Sequence, residues 1–315
     1  MAATTLDDTR DAPAGLDAEA RPVDVKVAAA DAASEVVPPK RNRALRKFLA
    51  NKPAIVGGGA VLFFILVAIL APLLTGYDPL ATSFTAIRKA PSAAHWFGTD
   101  ELGRDILSRM AFGARASLLA GVVSVAIAVA VGVPLGLLAG FFGGWVDMVI
   151  SRVADALLAI PFLILAIALA SFLGPSLTNA MIAIGLSGTP IFIRLARGQT
   201  LSVKAEDYVE GARAIGLPDR WILIRYVFPN ILPPLIVQGT LTVATAIIAE
   251  ASLSFLGLGQ QPPAPSWGSM LNTAKNFMEQ APWMSIFPGI AIFLLVLGFN
   301  LLGDGLRDAL DPREN

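Results

Sequence analysis

The chain has 315 residues, 55% hydrophobic and only 15% charged, with a mean hydropathy of +0.66; these values exclude a water-soluble globular domain and call for lipid. Its 24 basic and 24 acidic residues cancel to a formal net charge of +0, yet they crowd into short stretches between long uncharged runs, with nothing resembling a nucleic-acid surface. With no cysteine and one histidine, His95, disulfides, thiolate chemistry and His/Cys metal clusters are excluded, and no metal site is expected.

In chain order, residues 1–39 are rich in Ala, Asp, Glu and Pro without apolar periodicity, and read as a disordered tail. A basic segment, 40–54, leads into the first apolar run, which lies too far from the N-terminus and is too long to resemble a cleaved signal peptide. A helix needs about 20 apolar residues to cross the hydrocarbon core. The uncharged intervals supply six: roughly 55–74, 118–140, 148–172, 177–195, 231–249 and 284–302. The predicted fold class is therefore all-α, a polytopic membrane protein of six transmembrane helices occupying 55–315. Basic residues before span one and between spans four and five orient both termini toward the cytoplasm. Arg88, Lys89, Arg104, Arg109 and Arg115, in and after the first outward loop, run against that rule. Asp105 and Arg109, at i,i+4, assign part of that charge to a short interfacial helix leading into span two.

Span two carries Gly132, Gly136 and Gly140, a small-residue stripe that suits close helix packing or a moving interface. Arg152 and Asp155, at i,i+3 near the inner end of span three, are read as a structural or gating ion pair. Gly174-Pro175-Ser176 divides spans three and four.

The polar stretch 202–229 is long enough to hold two short helices. Asp207 followed by Glu210 reads as a capping-box variant, Gly216 can take a left-handed C-terminal conformation, and Pro218 prevents continuation. A second helix, 219–228, is expected to run to Pro229. Gly211, Ala212 and Ala214 lower the relief of the first helix, so a partner can approach its backbone while Glu210 and Arg213 make polar contacts. In span five Gln238, Thr242 and Thr245 share one helical face, with Glu250 near the outer end; they either touch a transported solute or bond between helices. There is no phosphate-binding G-x-x-x-x-G-K-[ST] loop and no hydrolytic triad, so the chain is not expected to be an enzyme or to bind ATP itself.

Glu210-Gly211-Ala212, Gly216 four residues on, and the closing Pro229 resemble the cytoplasmic EAA loop of bacterial ABC importer permeases. Gly211 stands at the family's first alanine, and Tyr226 and Phe228 at its isoleucine and leucine. His-Trp-Phe-Gly-Thr-Asp-Glu-Leu-Gly-Arg-Asp over 95–105, Leu-Ser-Phe-Leu-Gly-Leu-Gly over 253–259 with Pro-Ser-Trp-Gly over 265–268, and Phe-Asn-Leu-Leu-Gly-Asp-Gly-Leu-Arg-Asp over 299–308 resemble the C-type subunit of dipeptide and oligopeptide permeases.

The resemblance implies that Glu210, Gly211, Ala212, Arg213 and Gly216 form a coupling helix that docks on an ATPase subunit. It implies two nucleotide-binding subunits carrying ATP and Mg, a second, related permease completing a heterodimer in the bacterial inner membrane, and an extracytoplasmic solute-binding protein. Docking of that last partner is assigned to the outward loops through His95, Trp96, Asp100 and Trp267. The chain itself is expected to bind no cofactor. Cargo by this resemblance is a di- or oligopeptide, with a nickel complex or other small solute as the alternative. An ion-coupled secondary transporter would need mid-membrane carboxylates and internal repeats, which are not seen.

Overall fold

The computed structural model describes residues 46–310. The predicted tail, the start of the basic segment and the last five residues lie outside the described residues. We label the helices α1 Lys52–Leu74, α2 Ile106–Phe142, α3 Gly144–Leu158, α4 Phe162–Leu173, α5 Leu177–Lys204, α6 Asp207–Ala214, α7 Asp219–Ile222, α8 Phe228–Phe255, α9 Trp267–Ala274 and α10 Trp283–Leu310. No strand occurs among the described residues. Among the described residues five helical stretches are long and apolar enough to cross a membrane, or six where the bent α3 and α4 pair is counted as one span.

Local chemistry sets the boundaries. Asn51 caps α1 by accepting from the Ala54 N–H (3.1 Å), with Pro53 in the first turn where a missing N–H costs nothing. Asp105 caps α2 by accepting from the Ser108 N–H (2.8 Å). That cap corrects the predicted interfacial helix: α2 runs unbroken for 37 residues, far beyond the expected 118–140. Its first turns are needed to support the loops above rather than to cross lipid.

The predicted third span is broken. Pro161 has no N–H and disfavours helical geometry at Ile160, so α3 ends and α4 leaves it at 92°. The division after it stands where the Gly-Pro-Ser turn was expected: Gly174 is at φ 89, and Ser176 caps α5 through the Asn179 N–H.

The expected helix ending at Pro229 also requires correction. The chain from Asp219 to Phe255 is one helical run, because a π turn over Leu223–Val227 absorbs the proline. The Phe228 N–H bonds five residues back, to Leu223, and Pro229 then stands at a helix start, where no donor is needed.

The densest packing is between α2 and α5. A Cβ on Gly132, Gly136 or Gly140 would lie 2.7, 2.5 and 2.8 Å from the carbonyl oxygens of Thr189, Ile193 and Arg197 respectively. Two i,i+4 ridges therefore meet backbone to backbone, a closeness that glycine permits. The stripe is a packing device within this chain. Across the bundle α1 and α10 cross as closely, with Gly57 against the Gly298 carbonyl and Leu301.

Candidate functional site

The end of the bundle nearest α6 is built outward from α5. Lys204, in the last turn of α5, donates to the Phe141 carbonyl at the end of α2, and Arg213 lies over the Phe141 ring at 5.3 Å. Between them α6 leaves the bundle and returns. Val209 and Ala212 point inward and are buried with Ile222 and Val227, which holds the helix against the root of α8. The helix closes with two reverse bonds, Gly216 N–H to Arg213 O (2.9 Å) and Leu217 N–H to Ala212 O (3.2 Å), with Gly216 at φ 80. This is the left-handed stop that the glycine was expected to supply. At the other end Glu206, not Asp207, precedes the first turn, and no side chain caps it; Asp207 and Glu210 instead place negative charge near the positive helix end.

The outward face of α6 carries Tyr208, Glu210, Gly211, Arg213 and Ile215, all exposed. A Cβ added at Gly211 or Gly216 meets nothing within 4 Å. Ala212, assigned above to partner contact, faces the bundle at 5% exposure and is corrected to an anchoring residue. Residues not anticipated complete the face: Ile215 is 77% exposed, with Trp221 and Ile224 open beside it on the next helical segment. Large apolar side chains standing in water at a helix tip are the one signal that could have marked them. Partial desolvation of its ring holds the Tyr208 phenol above its ordinary value, with the Glu206 charge adding to that.

Alongside, α3 is clasped to α5 by two ion pairs. Arg197 takes both oxygens of Asp147, with Nη2 to Oδ2 at 2.7 Å, and Arg194 Nη2 meets Asp155 Oδ1 at 2.6 Å. The predicted Arg152 and Asp155 pair is thus corrected: three residues apart, they are displaced by the reach of Arg194 from the neighbouring helix, and Arg152 joins no ion pair among the described residues.

On α8 the polar face is satisfied within its own helix. Thr242 Oγ1 donates to Gln238 O (2.7 Å), Thr245 Oγ1 to Thr242 O (2.8 Å), and Gln238 Nε2 to Thr242 Oγ1 (3.2 Å). Thr242 is buried and Thr245 exposed. Glu250 is wholly buried, accepting from Ser254 (2.7 Å) on its own helix and Ser117 (3.3 Å) on α2.

The opposite end of the bundle is a network of loops around Asp100. Its carboxylate accepts from the backbone N–H groups of Leu102 and Arg104 and from Arg104 Nε (2.6 Å), and it forms an ion pair with Arg109, whose Nε lies 3.3 Å away. Arg109 therefore pairs with Asp100 and not with Asp105 as expected; its Nη1 reaches the Pro79 carbonyl (3.0 Å). Asp105 is left to cap α2 and to meet His95 Nδ1 (3.0 Å), so that histidine is not solitary. Burial, then the Asp100 charge, raises the Glu101 carboxyl above its ordinary value. Of the four residues assigned to outside docking, Trp96 is 70% exposed and His95 half-buried. Asp100 and Trp267 are buried and are corrected to internal supports: the Trp267 ring fills the core and its Nε1 donates to Met110 O (3.0 Å).

A bundle of helices long and apolar enough to cross a membrane, with a short exposed helix at one end and a hydrogen-bonded loop cover at the other, fits the class of membrane transport components. Comparisons with known proteins narrow this. The family model "Binding-protein-dependent transport system inner membrane component" matches residues 132–315, and "N-terminal TM domain of oligopeptide transport permease C" matches 41–91. The dipeptide transport system permease protein DppC of Alkalihalophilus pseudofirmus is 49% identical over 270 residues, covering 86% of this chain and 89% of the relative. The glutathione transport system permease protein GsiD of Salmonella typhimurium is 50% identical over 269 residues, covering 85% and 89%. Among solved structures, an inward-facing conformation of the MetNI methionine ABC transporter superposes with a TM-score of 0.54 at 21% identity, covering 63% of this chain and 94% of that one, which establishes shared fold. The chain belongs to the binding-protein-dependent transport system inner membrane component family, the multi-pass permease subunits of ABC importers.

Proposed function

We propose that this subunit forms half of a translocation path for peptides, completed by a second, related permease, and that the outward face of α6 is the surface through which ATP hydrolysis drives it. One observation carries the reading: α6 is pinned by Val209 and Ala212 while Tyr208, Glu210, Gly211, Arg213 and Ile215 stand free beside Gly216. A helix held on one face and bare on the other transmits displacement in both directions. One of two ATPase subunits, which together hold the ATP and Mg, docks there, and the other docks on the second permease; this chain binds no cofactor. Both termini are then cytoplasmic, and the loop cover over 75–105 faces outward, offering Trp96 and His95 to a solute-binding protein.

Closure of the ATPase pair pulls α6, and through the Lys204 and Arg213 contacts at Phe141 the motion enters α2 and α5 together. The Asp147–Arg197 and Asp155–Arg194 pairs carry α3 with them, so the path opens alternately to either side. Gln238, Thr242 and Thr245 line the α8 side of that path. A peptide cargo is supported by the dipeptide and glutathione systems to which the two relatives belong.

The test is co-expression with the neighbouring permease, ATPase and binding protein, followed by reconstitution. Peptide-stimulated ATP hydrolysis and uptake of the peptide that co-purifies with the binding protein are expected. An assembly that forms without a second permease, or that moves only non-peptide solutes, refutes the proposal.

A further inference from the structure

Arg115 is the one basic residue near the start of α2 that the loop network does not absorb. Arg104 and Arg109 both pair with Asp100, and Arg88 donates to Gln280. Arg115 points instead toward α1, across a groove of about 560 Å³ lined by Ile65, Ala68, Ile69, Leu118, Leu119 and Phe299. Its Nε donates to the Ala68 carbonyl (2.6 Å) and its Nη2 to that of Ile69 (3.3 Å), and its guanidinium lies 4.9 Å from the centre of the Phe112 ring. The first bond has a cause in the sequence. Pro72, inside α1, has no N–H, so the Ala68 carbonyl four residues earlier lacks its helical donor.

Carbonyls and a ring face orient the guanidinium but bring no counter-charge, and Arg115 joins no ion pair among the described residues. The groove opens sideways, with Ile69 and Leu119 64% and 56% exposed. By helical rise Ala68 lies about 9 Å from the Leu74 end of α1, a depth from which an arginine extends to the headgroup layer. With the Leu74 end of α1 at the bilayer surface, lipid phosphate lies above this level and hydrocarbon below it.

We propose that this groove binds an anionic phospholipid, its phosphate paired with Arg115 and an acyl chain laid along Ile65, Leu119 and Phe299. The chemistry is matched at both ends: a guanidinium fork already held by carbonyls, over a long wall without another charge. A protein helix seated there would have to bring a carboxylate to the same depth, whereas a phospholipid places its charge there as a matter of structure. The lipid closes the seam between α1 and α2 next to the Pro72 gap.

The experiment uses the whole importer, with its partner subunits, in nanodiscs of phosphatidylcholine containing a minor fraction of phosphatidylglycerol, and counts retained lipids by native mass spectrometry. Phosphatidylglycerol retained by the wild type is expected to fall about tenfold in Arg115→Gln, the loss of one charge-assisted contact. Leu119→Trp, which fills the groove and leaves the carbonyl bonds of Arg115 in place, lowers it as well. If Arg115→Gln does not assemble, Leu119→Trp decides alone. Equal retention in wild type and variants overturns the site. So does efficient cross-linking of a Leu119→Cys chain to the second permease, which would show the groove filled by protein; with no native cysteine, this chain then carries the label at Leu119 alone.

Discussion

Gly211→Leu separates folding from coupling because the two respond with opposite sign. Gly211 lies on the exposed face of α6, and an added Cβ meets no atom of this chain within 4 Å. Within the subunit the exchange replaces the poorest ordinary helix former by a good one, raising the stability of α6 by about 0.8 kcal/mol. In the proposed docking on an ATPase subunit the added branch would enter the contact, and overfilling a close-packed contact costs about 1–3 kcal/mol, or roughly a 5- to 150-fold loss in docking affinity. The assay titrates purified ATPase subunits onto proteoliposomes carrying the paired permeases and reads peptide-stimulated hydrolysis and uptake. Thermal unfolding of the membrane subunits is followed in parallel. Unchanged or raised thermal stability with lost coupling is the expected result. Stimulated hydrolysis and uptake at wild-type levels would refute the placement of Gly211 against a partner. Gly211→Ala serves as the comparison, since it adds the propensity with little bulk and restores the alanine of the related loop.

Gly136→Ala drives a Cβ to 2.5 Å from Ile193 O and 2.7 Å from the Ala196 Cβ and should destabilise the subunit by about 1–3 kcal/mol, whereas at Gly188 the nearest atom is 3.6 Å away and alanine should be neutral or mildly stabilising. Equal midpoints in a thermal-shift assay would contradict the backbone contact between α2 and α5. Trp96→Ala should leave stability within about 0.5 kcal/mol and weaken the solute-binding protein, while Trp267→Phe should cost about 1 kcal/mol by losing its bond to Met110 O and leave that affinity intact. Surface plasmon resonance against the binding protein reads the difference, and the reverse pattern would exchange their roles. Glu101 is held above its ordinary value near 4.5 by burial and by Asp100, so ionising it opposes folding. The part of the network's stability that depends on Glu101 should be largest below that value and be lost as pH rises through the raised folded value; Glu101→Gln should remove that part of the slope, and an unchanged pH profile would contradict it.

Much of the fold was legible because lipid imposes a simple length rule on uncharged runs, and every predicted span overlaps a helix. The Gly132, Gly136 and Gly140 stripe was readable as a packing surface because period-four spacing puts the three on one face. Apart from the early start of α2 at Ile106, what failed in the fold did so where prolines have more than one outcome. Pro161 breaks a span into two helices at 92°, yet Pro229 is absorbed by a π turn, and Pro72 leaves a carbonyl that an arginine of another helix fills. Local sequence specifies the missing N–H in each case; which group answers it depends on what packs nearby.

The site was legible in the same partial way. The punctuation of α6, with Gly216 and Pro218, follows from backbone sterics that no neighbour is needed to define. Which of its side chains faces outward was not readable, because Ala212 and Gly211 are adjacent small residues and only the wall formed by Ile222 and Val227 distinguishes them. Charge pairing was the least readable. The sequence by itself determined an all-helical membrane subunit with a short helix closed by Gly216, since hydropathy and turn chemistry are local properties. Only the tertiary structure decided that Asp155 meets Arg194, that Asp100 and Trp267 are internal supports, and that Arg115 is left with its charge unanswered within the described residues. The physical reason is reach: an arginine spans the gap between neighbouring helices, so its partner is chosen by packing across the bundle and not by spacing along the chain.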